Sequence, residues 1–314
     1  MYIPILSESR TRRRLERRKG GGGGKSSGGG SKGSSSKGGN GGASKSGSSS
    51  GEKQSKVPLS GGSSYLGKSS ATAYGYGGGK PIIIPAGQPF AGRSSGGGMR
   101  DQIYGTRTYG SGYPGIGGRG VSGRPFPFWF WPLVWSSNAA HSQSYLNGAE
   151  YGDSSNTTRF GGPLMEATFI SNNSSQNTTF HVLSDNSTVI SLIDTISGNC
   201  SAFLSKSSST SPSAFNASSS SAPQPEQAIQ YYRASSVVLT LDGYNNSATF
   251  SSNESTPDSS LPPNIDTKLL GCLNETIGLS VPLVDGAFPA LFATPSIPGL
   301  VLLGLIVSWI SSFV

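Results

Sequence analysis

Glycine is unevenly distributed along the chain, and this distribution constrains its folding more than any other feature. Of the 46 glycines among 314 residues, 35 precede residue 125. Glycine loses more backbone freedom on ordering than any other residue and adds no side chain to a core. Residues 20–123 combine it with serine and lysine, as in "GGGGKSSGGGSKGSSSKGG". We therefore predict that 20–123 is a disordered arm, which makes the N-terminal half of the protein mostly disordered.

The charge changes sign at the same boundary. Residues 1–124 hold 20 Lys and Arg against 4 Asp and Glu, whereas residues 125–314 hold 4 against 12. The two parts carry net charges of +16 and −8, so two different physical objects are predicted to meet there. The basic part comprises a leader, residues 1–19, and the arm. A flexible basic arm predicts contacts with acidic or polysaccharide surfaces.

An aromatic and proline-rich segment, "RPFPFWFWPLVW", occupies residues 124–135. Its prolines forbid a continuous helix, and twelve residues are too few for a transmembrane span of about 20. Tryptophan and phenylalanine favour the membrane interface, which assigns a membrane contact to Phe128, Trp129, Phe130, Trp131 and Trp135. The alternative is that the segment packs as an apolar strap on the folded domain. Residues 136–158 follow as a predicted linker.

The periodicities of a folded domain are found in residues 159–285. "MEATFI" and "TTFHVL" predict a β-hairpin, and "SDNSTVISLIDTISGNC" predicts a capped helix with an apolar stripe of Val189, Ile190, Ile193 and Ile196. "PQPEQAIQYY" predicts a short helix, and "SSVVLTLDGYNNSATF" a second hairpin that turns at "DGYNN". "NIDTKLLGCLNETIG" predicts a second amphipathic helix.

Each half of this region is thus predicted to form a hairpin followed by a helix, with a cysteine late in the helix. We predict a small α+β domain of two β-β-α units, with a four-stranded antiparallel sheet and its helices on one face. The only two cysteines, Cys200 and Cys272, are predicted to form a disulfide between the helices. Two buried free thiols are the alternative.

Sequons for N-linked glycosylation are concentrated in the same region. Of the 12 asparagines between residues 156 and 274, 10 begin an Asn-x-Ser/Thr sequence without proline in the middle, where chance would supply about four. Asn199 is a poorer candidate if Cys200 is bonded. The ten positions are Asn156, Asn172, Asn173, Asn177, Asn186, Asn199, Asn216, Asn245, Asn253 and Asn274.

The C-terminal residues 286–314 form a hydrophobic tail without a charged residue. Small residues, a spacer and an apolar stretch are typical of a signal for a glycosylphosphatidylinositol anchor, which predicts attachment at Asp285 or Gly286. A simple membrane helix is the alternative. Either interpretation requires entry into the secretory pathway, and "MYIPIL" is too short for a signal peptide. We therefore expect a longer natural N terminus and a location at the plasma membrane or cell wall.

Motifs for catalysis do not stand in a suitable context. "GIGGRG", residues 115–120, matches a dinucleotide-binding pattern without a preceding strand or following helix. A serine hydrolase would have to use His181, which falls in a predicted strand and reads as a structural histidine. We expect no catalytic, cofactor-binding or metal-binding residue.

Three functions remain. The first is a non-enzymatic structural or adhesive surface glycoprotein attached to the membrane through its C terminus. Its arm tyrosines could stack on sugars or on arginines; they are Tyr74, Tyr76, Tyr104, Tyr109 and Tyr113. The second is a disordered nucleic-acid-binding protein, which the sequons make a poor fit. The third is a single-pass membrane protein with a membrane-active aromatic segment. The sequence indicates no oligomeric state.

One resemblance supports the first function. "YGSGYPG", "GRGVSGRPFPFWFWP" and the two-cysteine, sequon-rich region resemble an uncharacterised group of fungal secreted Gly/Ser-rich surface proteins, over most of residues 20–285. The resemblance implies a place at the cell surface and brings no activity, ligand or site residue.

Overall fold

The computed structural model describes residues 53–62, 66–135, 143–146 and 149–286. Nine strands and two α-helices follow one another within these ranges. They are β1 Ser55–Pro58, β2 Ser70–Ala73, β3 Ile82–Ile83, β4 Ser94–Ser95, β5 Leu164–Ile170, β6 Thr179–Asp185, α1 Asn186–Asn199, β7 Ser213–Ala214, β8 Ala228–Tyr232, β9 Val237–Leu241 and α2 Thr267–Ser280.

The main sheet has five strands in the order β7-β5-β6-β9-β8, and every neighbouring pair is antiparallel. Strands β5 and β6 form one hairpin, and β8 and β9 form another. The hairpins join through β6 and β9, where Phe180 faces Leu241 across the ladder. Strand β9 is buried along its whole length, so the sheet is covered on both faces.

Both helices start at an aspartate cap. The Asp185 carboxylate accepts a hydrogen bond from the Thr188 backbone N–H at 3.0 Å, and Asp266 accepts from Leu269 at 3.0 Å. These caps satisfy N–H groups that have no partner inside the helix. The helices pack against each other, and α1 also packs on β5 and β6. Their buried apolar residues are Val189, Leu192, Ile193 and Ile196 in α1 and Leu269, Leu273 and Ile277 in α2.

The first predicted hairpin and both predicted amphipathic helices are confirmed. The main sheet is antiparallel as expected, but it has five strands where four were predicted, because β7 pairs with β5. The predicted stripe of α1 was wrong at Ile190, which is 45% exposed, while Leu192 is buried. The second hairpin is also displaced. "AIQYY", predicted as part of a helix, is strand β8, and "SATF", predicted as a strand, is a 3₁₀ turn over Ser247–Phe250.

The displaced hairpin turns where the sequence has no glycine. Arg233, Ala234 and Ser235 adopt φ values of 49°, 49° and 58°, a left-handed conformation that is costly for residues with a side chain. Backbone from the preceding segment holds this turn: the Arg233 N–H donates to the Ile103 carbonyl at 2.7 Å, and Ser235 accepts from Leu133 at 2.9 Å. Long-range contacts therefore replace the missing turn signal.

The predicted disordered arm is wrong for the described part of residues 53–123. This part packs on the sheet domain and belongs to the same compact unit. It adds the two-stranded sheets β1–β2 and β3–β4 and pairs with the domain at Thr72 and Leu283. Ile84, Ile103 and Tyr109 are at most 2% exposed. In the predicted linker, Leu146 and Tyr151 are also buried. Residues 20–52 lie outside the described residues.

Arginine explains how a glycine-rich segment can be ordered. A chain without long helices or strands leaves backbone carbonyls unpaired, and burial then costs free energy. Arg107 donates to the Ser259 carbonyl at 2.6 Å, and Arg119 donates to that of Ser251 at 2.6 Å. Arg100 donates to the Gly75 carbonyl at 2.8 Å and to Gly278 at 3.1 Å. These side chains thus connect the segment to loops and to α2.

An arginine is also buried in the core. The guanidinium of Arg233 donates to the Asp185 carboxylate at 2.6 Å and to the Pro282 carbonyl at 3.0 Å, and it lies 3.5 Å from the centre of the Phe130 ring. Burial lowers its pKa to about 10, and the Asp185 charge opposes this shift, so Arg233 remains a cation at neutral pH. This cluster joins the β8–β9 turn, the start of α1, the aromatic segment and the chain after α2.

The glycine-rich segment should be a rigid part of the folded domain, which a matched pair of substitutions tests. Gly110 has φ +92°, and a Cβ atom there would lie 2.0 Å from the Gly120 carbonyl oxygen, whereas a Cβ at Gly117 meets nothing within 4 Å. Gly110→Ala is expected to lower the free energy of unfolding by about 2 kcal/mol or more, and Gly117→Ala by less than about 0.5 kcal/mol. Urea titration measures both. Equal effects would contradict a packed segment.

Candidate functional site

The sequon asparagines lie on loops and element ends at the surface. Seven of the ten are exposed, namely Asn172, Asn173, Asn177, Asn199, Asn216, Asn245 and Asn253. In several sequons the asparagine Oδ1 accepts a hydrogen bond from the N–H of its own Ser or Thr, as from Ser218 to Asn216 at 3.0 Å and from Ser255 to Asn253 at 2.9 Å. This local turn fixes the side chain and leaves the amide nitrogens of these two at the surface.

Three sequon asparagines are half-buried: Asn156, Asn186 and Asn274. The Asn274 Oδ1 accepts from the Tyr232 hydroxyl at 2.7 Å, and the sequon residue Thr276 is buried against Cys200. A glycan at Asn274 would have to displace this packing. The structure therefore separates the ten sequons into accessible and obstructed sites, a distinction that spacing alone does not provide.

The predicted disulfide between Cys200 and Cys272 is present. It connects the end of α1 to the middle of α2, with the Cα atoms 5.8 Å apart and a sequence separation of 72. A loop of that length corresponds to about 4 kcal/mol of stabilisation in the chain-entropy account. Because the helices meet at this bond, it fixes the face of the domain on which they lie.

The aromatic segment is the strap that the sequence offered as an alternative. Its five predicted membrane-contacting side chains are at most 5% exposed, and Phe130 packs edge-on against Phe160 with ring centres 5.0 Å apart. This packing does not support the assignment to a membrane interface, because the rings have no free surface in the folded domain. The aromatic content indicated burial as one alternative, but it did not indicate which residues would cover the rings.

The predicted anchor attachment residues lie where the described chain ends. The Asp285 carboxylate accepts from the Gly77 N–H at 2.8 Å, and the Gly286 N–H donates to the Gly77 carbonyl at 3.1 Å. Both residues are thus tied to the glycine-rich segment. Residues 287–314 of the tail lie outside the described residues. Within the described ranges, no helix has the length and hydropathy needed to cross a bilayer.

His181 lies between two carboxylates on the main sheet. Its Nδ1 is 2.7 Å from Glu166 Oε1, and its Nε2 is 3.0 Å from Asp242 Oδ1. Burial alone would lower the pKa of His181, but hydrogen bonds and charge from Glu166 and Asp242 raise it above its usual value. In the protonated ring both nitrogens donate to carboxylates, and that form has no lone pair with which to activate a nucleophile. The arrangement ties β5, β6 and the end of β9 together.

The "GIGGRG" motif surrounds a cation. Arg124 donates to the carbonyls of Gly110 at 2.5 Å, Gly118 at 3.0 Å and Arg119 at 3.2 Å, and its guanidinium lies 5.0 Å from the centre of the Tyr113 ring. A phosphate-binding loop points backbone N–H groups at its ligand. These carbonyls point inward at a guanidinium, so the loop has the opposite polarity.

A cleft of about 270 Å³ opens beside this loop. Its lining includes the three glycines Gly96–Gly98, the side chains of Ser94, Gln102, Tyr113 and Ile116, and three prolines. These residues form a concave surface large enough for part of a ligand. No sequence pattern predicted the cleft, because all its lining residues except Pro125 and Pro127 belong to the predicted disordered arm.

Comparison of the chain with protein-family models, with curated proteins and with solved structures finds no match.

The His181 contacts should make stability depend on pH. A raised folded-state pKa contributes stability that is fully present below the unfolded value of about 6.5 and is lost as pH rises through the folded value. His181→Gln is therefore expected to destabilise the protein more at pH 5.5 than at pH 8.5. Urea unfolding of both proteins at the two pH values measures this difference. A pH-independent effect would show that the charged ring contributes nothing.

Proposed function

We propose that the protein is a non-enzymatic structural or adhesive glycoprotein of the cell surface, reached through the secretory pathway and attached to the membrane through its C terminus. The observation that carries this proposal is the concentration of ten sequons in one folded domain, with seven of their asparagines exposed. Glycans at such positions would solubilise a domain that has few charges of its own.

The disulfide supports the same compartment. Disulfides persist in secreted and cell-surface proteins and are rare in the cytosol. Here the Cys200–Cys272 bond lies between two packed helices that carry most of their apolar residues inward. Two independent chemical features therefore support the proposal: glycan-acceptor asparagines on the surface of the domain and a disulfide bond in its interior.

Fewer basic side chains are available for contacts with other surfaces than a disordered arm would provide. The described arginines between residues 93 and 124 bind groups of the protein itself, so their charges are not free to reach outward. Lys53, Lys56 and Lys80 are exposed. Contacts of the described part of the predicted arm with acidic surfaces therefore rest on these lysines, and such contacts are expected to weaken as salt is added.

Glycosylation should follow exposure. Protein purified from its native surface is expected to carry glycans at Asn216 and Asn253, which are exposed, and none at Asn274, because this asparagine is half-buried within α2 and its sequon threonine, Thr276, is buried. Asn216→Gln and Asn253→Gln should each remove one glycan step in gel mobility. Asn274→Gln is the matched control and should remove none.

Glycopeptide mass spectrometry gives the occupancy directly. Occupied Asn274 with empty Asn216 and Asn253 would contradict the assignment by exposure. A native protein whose mobility is unchanged by endoglycosidase would remove the surface-glycoprotein proposal and favour nucleic-acid binding.

The attachment can be tested on intact cells. Phosphatidylinositol-specific phospholipase is expected to release the protein, and the mature C terminus should map to Asp285 or Gly286. These residues end the described fold beside Gly77, so an anchor there would hold this side of the domain next to the membrane. Membrane-retained protein that still contains residues beyond 287 would instead identify a membrane helix.

A further inference from the structure

We propose that the cleft over Gly96–Gly98 binds a short part of a neutral saccharide chain. The inference rests on the proposed function in one respect, namely that a surface protein meets polysaccharide. It assigns a place for that contact in the segment predicted to be disordered, and it selects uncharged sugars over acidic ones.

The floor of the cleft is not suited to an anion. The N–H groups of Gly96, Gly97 and Gly98 are already donated to the carbonyls of Phe126 at 2.9 Å, Gly79 at 2.7 Å and Pro127 at 2.7 Å. A phosphate or carboxylate would therefore find no free backbone donors there. Among the described residues that line the cleft, none is charged. An acidic ligand would lose its hydration without a cation among these lining residues, and the Arg124 guanidinium against the Tyr113 ring already donates to backbone carbonyls.

The polar groups of the cleft suit hydroxyl groups. Tyr113 is 5% exposed, and its hydroxyl forms no hydrogen bond within the described structure although the residue lines the cleft. The ring is held in place by Arg124, which lies over it at 5.0 Å. A fixed hydroxyl without a partner can both donate to and accept from a sugar hydroxyl. Binding would therefore replace water at this hydroxyl with a sugar hydroxyl.

A second polar group is fixed in the same way. The Oε1 atom of Gln102 accepts from the Met99 N–H at 3.1 Å, which orients the amide and leaves its nitrogen as a donor. The Ser94 side chain adds a hydroxyl to the lining. Donors and acceptors without charge, spread over one small surface, are the groups that recognise the hydroxyls of an uncharged sugar.

The apolar lining and the volume of the cleft also suit a short saccharide. Pro114, Pro125, Pro127 and Ile116 offer C–H surfaces that can pack against the C–H face of a sugar ring. A proline-rich peptide instead docks in grooves lined by several exposed aromatic rings. Here one aromatic ring lines the cleft, and it is nearly buried. The volume of about 270 Å³ is slightly below the roughly 300 Å³ of common small-molecule pockets, so it fits only a short stretch of polymer.

The test uses the full-length chain secreted from a eukaryotic host, with its N-glycans trimmed. Hexamers of β-1,3-linked glucose, β-1,4-linked N-acetylglucosamine and α-linked mannose are titrated in calorimetry and in saturation-transfer NMR, beside oligogalacturonate and a proline-rich peptide. At least one neutral hexamer is expected to bind saturably. Tyr113→Phe, which keeps the ring, should weaken its affinity about 5- to 10-fold.

A second variant keeps the test decisive if Tyr113→Phe does not fold. Ile116 is 40% exposed at the cleft, and Ile116→Arg should abolish detectable binding by filling it and adding a charge. The matched control is Ile190→Arg on α1, where the isoleucine is 45% exposed, and it should leave the affinity unchanged.

The proposal is overturned if no neutral hexamer binds, if binding survives Ile116→Arg, or if oligogalacturonate or the peptide binds in place of the neutral sugars. These readouts are separate from those of the proposed function. Binding by a protein that carries no glycan or anchor in its native host would retain the cleft and discard the surface glycoprotein. An anchored glycoprotein with an inert cleft would do the reverse.

Discussion

Unpaired backbone carbonyl groups are the constraint on which the structure of this protein depends. A glycine-rich segment forms few long strands, so its carbonyls, and those of the loops it covers, need other partners once water is excluded. Arginine provides them because one guanidinium has five N–H donors in a fixed plane. Arg124 collects carbonyls of the loop around it, and Arg107 and Arg119 bind the loop that precedes α2. The segment is ordered by these contacts rather than by regular secondary structure.

The same principle extends to the centre of the domain. Arg233 brings together the Asp185 cap of α1, the carbonyl of Pro282 and the face of Phe130. Removing one partner of a buried ion pair leaves the other charge uncompensated, which is far more costly than losing a surface pair. The left-handed turn at Arg233–Ser235 can be understood in this light, since its strain places the guanidinium where these elements meet. The contacts of the Arg233 side chain thus offset the backbone strain of the turn.

The folded glycine-rich segment also changes how the surface can act. Tyr109 and Tyr113 were expected to be available to other chains, but both are buried, and Tyr113 stacks with Arg124 of its own domain. What the segment offers outward is a shaped cleft with an unpaired tyrosine hydroxyl, together with exposed lysines. The sequons lie in a different part of the chain, so glycosylation and contact with a ligand need not compete for the same residues.

The sequence by itself determined the elements whose signals are local: the β5–β6 hairpin, the two capped helices and the sequons, none of which needs more than 22 consecutive residues. It also indicated the Cys200–Cys272 pair, because no other cysteine was available. Only the tertiary structure decided that residues 53–123 fold, that the second hairpin turns at Arg233, and that a cleft exists. The reason is distance along the chain: Arg107 finds its carbonyl 152 residues away and Arg119 finds its own 132 residues away. The composition of the segment indicates how much conformational entropy it loses on folding. It does not indicate the distant hydrogen-bond partners that offset this loss.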